Sequence, residues 1–309
     1  MLFRSTVEAD LDRLLRCVVD EPVSSAHPER LRSYLTSGDY RHDRVWIAEQ
    51  DGEILARAVW WGFPGGDSPL ALDCVYVHPS VRDRVGLAAD LLRHAHDAYG
   101  ARPDYHLFLA PGWRDDEEAA AAVAWRQEAA ARAGLTEALE RHRYEWTAGA
   151  PVPDPSRRLV FRPEDDDEAF VRAFMRVAEG SLDDHTRRAV AVMGAEAQAR
   201  EDVADYRSMP GDRSMWRLAY TEDGDLVGVA LPSANGGGPV VGYLGVVPEH
   251  RGHGYVDDLL GEITRRHAER GAGRIVADTD TGNVPMARAF ERAGYRAFAV
   301  RLVISPSAS

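Results

Sequence analysis

One succession of elements occurs twice in this chain of 309 residues, and that repetition constrains the fold more than any other feature. In the second half, residues 159–162 read as a short strand. Residues 168–179 read as a helix, with Phe170, Phe174, Val177 and Ala178 at helical spacing. Residues 186–206 form a further helical region, broken near Gly194. Strand-like residues 215–221 and 226–231 flank Glu222-Asp223-Gly224-Asp225, whose Asp-Gly pair favours a hairpin turn. A strand over 240–247 stops at Pro248. A helix over 254–270 carries Val256, Leu259, Leu260, Ile263 and His267 on one face and ends at Gly271. A strand over 274–279 follows, then a helix over 283–293 with Pro285 in its first turn, where a missing amide costs little. Residues 298–304 are the last strand.

The first half has the same order. A strand at 2–4 precedes helices near 11–19 and 28–35, and strands 45–49 and 54–60 flank Gln50-Asp51-Gly52-Glu53. The strand at 70–77 ends at Pro79. A helix to about Tyr99, a strand at 105–109, an alanine-rich helix to Ala133 and a strand at 137–146 complete the unit. Short matches fall in register: Val77-His78-Pro79 with Val246-Val247-Pro248, Asp90-Leu91-Leu92 with Asp258-Leu259-Leu260, and Arg132-Ala133-Gly134-Leu135 with Arg292-Ala293-Gly294-Tyr295. We read these as an internal duplication. Between the halves, Ala150-Pro151-Val152-Pro153-Asp154-Pro155-Ser156 has proline at alternate positions, which favours extended backbone and a semi-rigid linker. The expected division is 1–149, a linker at 150–157, and 158–309.

The segment Val246-Val247-Pro248-Glu249-His250-Arg251-Gly252-His253-Gly254-Tyr255-Val256 joins a buried strand to a helix through two glycines. Glycines let an anion approach backbone amides closely, and a helix start adds unpaired N–H groups and partial positive charge. Together these form a phosphate cradle, to which Arg251 adds a cation. A dinucleotide fingerprint needs glycine where Asp257 stands, and a P-loop needs Gly-Lys-Ser/Thr, which is not found here.

What remains, Arg251-x-x-Gly254-x with apolar Val256 last, resembles the pyrophosphate loop of the GCN5-related N-acetyltransferase (GNAT) family. The resemblance covers roughly residues 215–304. It implies an α/β fold of two tandem GNAT-like domains, each a mixed, mostly antiparallel sheet flanked by helices. It also implies that the strand before the loop carries a bulge and splays from its neighbour, with acetyl-CoA in the cleft. Backbone at Val246 and Val247 would meet the pantetheine arm, and amides of Arg251, Gly252, His253, Gly254, Tyr255 and Val256 the pyrophosphate. Asn283 matches a position that contacts the cofactor arm; asparagine equally suits a helix cap there. Val256 departs mildly from the family's usual Gly or Ala.

Acyl transfer to an amine needs a base for the amine and a proton donor for the thiolate. The family's frequent tyrosine is Phe290 here, and a frequent acidic position falls on Val240, so neither usual group is present. Catalytic candidates are Tyr243 on the strand before the loop, and Asp278 and Asp280 at the end of the next strand. The Asp278-Thr279-Asp280 group would bind an ammonium, act as base, or cap a turn. In the first half the loop becomes Arg82-Asp83-Arg84-Val85-Gly86-Leu87-Ala88. It loses the Gly-x-Gly spacing and gains Asp83, whose charge would repel a pyrophosphate, so that half is expected to keep the fold without normal cofactor binding.

Asp and Glu outnumber Lys and Arg by 50 to 37, a formal charge of −13. That argues against nucleic acid as partner, and makes a tRNA donor of aminoacyl groups unattractive. It is compatible with a cationic amine substrate. Cys17 and Cys74 sit among apolar neighbours without a Cys-x-x-Cys pair, so no metal is expected, and both should be core residues. No signal peptide or membrane-length apolar run is seen, so a cytoplasmic protein without membrane partners is expected. The sequence carries no signal for oligomeric state. The leading expectation is an N-acetyltransferase using acetyl-CoA and a small amine; the alternative is a non-catalytic acyl-CoA-binding regulatory protein.

Overall fold

The structure, a computed structural model, describes residues 1–18, 23 and 26–307. The chain packs as two units, residues 1–140 with 299–309, and residues 141–298.

The first unit contains β1 (Leu2–Ser5), α1 (Leu11–Leu14), α2 (Pro28–Ser37), β2 (Val45–Gln50), β3 (Glu53–Trp61), β4 (Ala71–Val77), α3 (Arg84–Tyr99), β5 (Asp104–Leu109), α4 (Glu117–Arg132) and the start of β6 (Leu135–Thr147). The helix expected near 11–19 is shorter than its pattern, and Val19 lies outside the described residues. Asp51 and Gly52 both have positive φ, 53° and 82°, so the Asp-Gly pair makes the tight turn its chemistry favours. Strands β1 to β4 pair antiparallel in order, β4 pairs parallel with β5, and β5 pairs antiparallel with residues 300–304 of the last strand. Cys17 and Cys74 are buried free thiols.

The second unit follows with β7 (Val160–Arg162), α5 (Asp167–Ala178), α6 (Asp184–Met193), α7 (Ala195–Ser208), β8 (Arg217–Tyr220), β9 (Leu226–Asn235), β10 (Gly238–Val246), α8 (Tyr255–Glu269), β11 (Arg274–Asp280), α9 (Val284–Arg292) and the start of β12 (Arg296–Pro306). Gly194, at φ 86° and ψ 156°, separates α6 from α7 where the pattern places a break. Strands β7 to β10 pair antiparallel, β10 pairs parallel with β11, and β11 pairs antiparallel with residues 141–147 of β6. This repeats the sequence of pairings in the first unit.

Each unit thus takes its last strand from the opposite half of the sequence. Tyr144 and Trp146 pack in the second unit's core with Leu260, Ile275 and Phe290. Val300, Leu302 and Ile304 pack in the first unit's core with Leu72, Leu91 and Val123. The compact units therefore change over within β6 and β12, and the proline-rich stretch lies inside the second unit.

Candidate functional site

The site begins with a bulge. On β10, Val241 faces Pro232 and Tyr243 faces Leu231, leaving Gly242 as the extra residue. A Cβ at Gly242 would stand 2.7 Å from the Leu231 carbonyl oxygen, so only glycine fits without a shift. The Tyr206 hydroxyl, from α7, donates to the Gly242 carbonyl at 2.9 Å. On its other side β10 pairs with β11 at Val240–Val276 and then diverges. The divergence opens a cavity of about 510 Å³, walled by β10, β11, α9, the loop before α8, and the 180–186 and 202–206 segments.

At one end of the cavity lies the glycine loop. Gly252 and Gly254 have φ of 80° and 74°, left-handed values that a side chain would strain. Gly254 caps α8 and no side chain accepts from the helix's first amides. An uncapped start of this kind is a site for an anion. Asp257 and Asp258 in the first turn would oppose an anion, but each is held by an arginine. Arg292 Nη2 reaches Asp257 at 2.7 Å, and Arg158 pairs with Asp258. Arg158 also donates to the His253 carbonyl at 2.9 Å and lies over the Tyr255 ring at 4.8 Å.

Arg251 is placed as a brace. Its Nε donates to the Val246 carbonyl at 3.0 Å, Nη2 to the Val177 carbonyl at 2.8 Å, and Nη1 to the Gly180 carbonyl at 3.3 Å. The guanidinium ties the end of β10 to the end of α5, and its planar fork suits three converging carbonyls.

Of the residues singled out in the sequence, Tyr243, Val246, Arg251, Gly252, Gly254, Tyr255, Val256, Asp278 and Asn283 line the cavity. Val247, His253 and Asp280 are not part of its wall. Val247 is fully buried and its amide donates to Val227 on the β9 side at 2.9 Å. His253 is exposed and meets Tyr255 at 6.0 Å between ring centres. Asp280 is buried, receives the Asp184 amide at 2.6 Å and pairs with Arg141 at 3.3 Å, so it fixes the start of α6. Burial raises its pKa, against the pull of Arg141. Asn283 accepts from the Met286 amide at 3.4 Å, capping α9, and also lines the cavity. Phe290, 2% exposed, lines the wall stacked on Tyr144 at 4.9 Å.

Four further wall residues carry no signal in the glycine-loop motif: Arg141, His185, Asp202 and Tyr206. Tyr243 stacks on Phe174 at 4.3 Å and stands 6.3 Å from Tyr206. Burial, reinforced by the Asp202 charge, raises the Tyr243 pKa well above the usual phenol range, so its hydroxyl keeps its proton. Asp183 would be raised by burial, but Arg141 and the Thr186 amide outweigh that and hold it low. Among the described residues, no group of three or more His, Cys, Asp or Glu is placed to hold a metal ion, and no helix is long and apolar enough to cross a membrane.

The first unit repeats the scaffold with different residues at the corresponding places. Its bulge residue is Asp73, bonded to the Tyr40 hydroxyl and, at 2.6 Å, to Arg30. β4 and β5 pair at Ala71–Asp104 and Leu72–Tyr105. Arg126 from α4, 2% exposed, sends its Nη2 to the Val75 carbonyl at 3.3 Å. At the start of α3, the Asp83 carboxylate accepts from the Gly86 amide at 2.8 Å and occupies the place an anion would take.

A mixed sheet with a bulged, splayed strand leading to an uncapped, glycine-bounded helix frames the cavity of the second unit. Residues 182–295 match the acetyltransferase (GNAT) family model, so the chain carries a domain of that family. Solved structures with this fold include a GCN5-related N-acetyltransferase from Sphaerobacter thermophilus, 20% identical with a TM-score of 0.59 over 100% of this chain and 97% of that one. A GNAT-family acetyltransferase from Colwellia psychrerythraea is 11% identical, with a TM-score of 0.51 over 99% and 100%. A tandem GNAT protein from the clavulanic acid biosynthesis pathway matches at 16% identity and a TM-score of 0.49 over 100% and 99%. At these identities the likeness to the first two is one of fold. The whole chain has two tandem GNAT-like units.

Proposed function

We propose that the second unit transfers an acetyl group from acetyl-CoA to the amino group of a small molecule. The observation that carries this reading is the divergence of β10 from β11 beyond Val240–Val276, into a cavity that ends on the glycine loop. A thioester held there supplies an activated carbonyl. The amides of residues 251–256 and the positive end of α8 would meet the pyrophosphate, with Arg251 holding the loop in shape. Val246 and Asn283 border the path between loop and cavity.

Amide formation joins nitrogen to the acetyl carbon and breaks the carbon–sulfur bond. The nitrogen must first shed a proton. His185, exposed on the wall formed by α6, is an imidazole, the side-chain type used most often as a general base. Tyr243 retains its proton and would donate a hydrogen bond to the departing sulfur. Asp278, paired with Arg143 at 3.2 Å, contributes charge to the wall, and Asp280 positions α6. The test is thiol release from acetyl-CoA by the full chain against a panel of primary amines, with mass spectrometry of the products. Amine-dependent thiol release with acetylated product is expected. Binding of acetyl-CoA without thiol release for any amine would contradict the reading.

A further inference from the structure

Three aspartates line the cavity: Asp183, Asp202 and Asp278. Asp183 pairs with Arg141 at 3.1 Å, and Asp278 with Arg143 at 3.2 Å. Asp202 has no ion pair among the described residues; its carboxylate accepts from Gln198 Nε2 at 2.7 Å. Gln198, Asp202 and Tyr206 stand four residues apart along α7 and so share one face of that helix. Gln198 is 3% exposed, which fixes the carboxylate from behind, while Asp202 and Tyr206 face the cavity. Burial raises the pKa of Asp202, so a cation placed beside it would relieve the cost of its charge.

The charge of His185 acts on Asp202, and the cavity wall also offers aromatic and apolar surface. Tyr206 and Tyr243 present aromatic rings 6.3 Å apart, and Val177 and Leu182 also line the cavity. The guanidiniums on the wall are already committed. Arg141 serves Asp183 and Asp280, and Arg251 serves three backbone carbonyls. An acceptor carrying its own carboxylate therefore finds no uncommitted guanidinium on the wall.

Building on the acetyltransferase reading, we propose that Asp202 is the residue that recognises the acceptor. It holds the ammonium of a primary amine that lacks a carboxylate and whose apolar or aromatic body lies against Tyr206 and Tyr243. The probes are phenethylamine, its neutral analogue 2-phenylethanol, and phenylalanine, which adds a carboxylate. Binding to the full chain in the presence of CoA is followed by ligand-observed NMR, for the wild type and for Asp202→Asn.

The expected result is that phenethylamine binds the wild type more tightly than either analogue. Asp202→Asn should weaken it by about tenfold, the scale of about 1.4 kcal/mol, while leaving 2-phenylethanol and acetyl-CoA affinity unchanged. Equal amine binding in the two proteins, no preference of the wild type for the amine, or no amine binding at all would overturn the proposal. In turnover, Asp202→Asn should raise KM for the amine about tenfold with kcat within about threefold. If phenethylamine binds as expected but the wild type releases no thiol, the acetyl-transfer reading fails and the recognition by Asp202 stands.

Discussion

Replacing Arg251 separates two roles for the most conspicuous cation of the glycine loop. In the structure its three donors end on the carbonyls of Val246, Val177 and Gly180, at 3.0, 2.8 and 3.3 Å. Hydrogen bonds from a charged donor contribute about 1.5–3 kcal/mol each when buried. The Gly180 contact is exposed and water replaces it at little cost, while the other two are only part-buried. A net loss of about 2 kcal/mol for Arg251→Ala follows. In a unit of this size that lowers Tm by roughly 4–8 °C. If binding must restore the loop's shape, the same loss appears as roughly 30-fold weaker acetyl-CoA affinity. Lysine keeps the charge but cannot span three carbonyls, so Arg251→Lys should resemble Arg251→Ala. Differential scanning fluorimetry and isothermal titration of wild type, Arg251→Ala and Arg251→Lys measure both quantities. An unchanged Tm in Arg251→Ala together with near-normal affinity in Arg251→Lys would refute the brace and make Arg251 a direct phosphate ligand.

Three further outcomes are expected. Burial pulls the His96 pKa down to about 4 from an ordinary 6.5, so below pH 6.5 the unfolded chain takes up a proton that the first unit refuses. Stability should therefore fall as pH drops from about 6.5 to about 4, by roughly 3 kcal/mol in all, and His96→Leu should flatten that slope in urea titrations at stepped pH. Trp146→Ala should destabilise the second unit by about 3–5 kcal/mol and Leu302→Ala the first unit by about 2–5 kcal/mol, because each strand end packs in the other half's core. Hydrogen exchange should then show protection lost in residues 255–295 for the former and 45–135 for the latter, and the reverse assignment would contradict the strand exchange. His185→Gln should lower kcat/KM for an amine about 100-fold at pH 7 and less at alkaline pH; a uniform loss across pH would remove His185 from proton transfer.

Much of this scaffold was legible because its elements are locally encoded. The helical spacing of Leu259, Leu260 and Ile263, the stop at Gly271, and the break at Gly194 all follow from backbone preferences that act over a few residues. The duplication was legible for the same reason, and the structure extends it to the order and sense of strand pairing. The exchange of terminal strands was not. Alternation along residues 137–146 and 298–304 says that each is a strand, but not which neighbour completes its ladder.

The site shows the same division. The glycines of the loop declare themselves through the positive φ they adopt, whereas the direction of Arg251's donors depends on where α5 ends. Asp280 is acidic and close in sequence to the cleft, yet it turns to Arg141 and the α6 amide. The α6–α7 wall of the cavity is far from the motif in sequence. Its one local trace is the spacing of Gln198, Asp202 and Tyr206, polar and aromatic groups on a single helical face. In the first unit Asp83 was readable as a cap and Arg126 was not, because its reach to Val75 depends on the packing of α4.

We propose that this duplicated scaffold retains one working acyl-CoA cleft, in the second unit. Isothermal titration of the full chain with acetyl-CoA tests it most directly. One site per chain is expected, weakened by Arg251→Ala and unchanged by Arg126→Gln. No binding would contradict the cleft, and two sites per chain would contradict the account of the first unit.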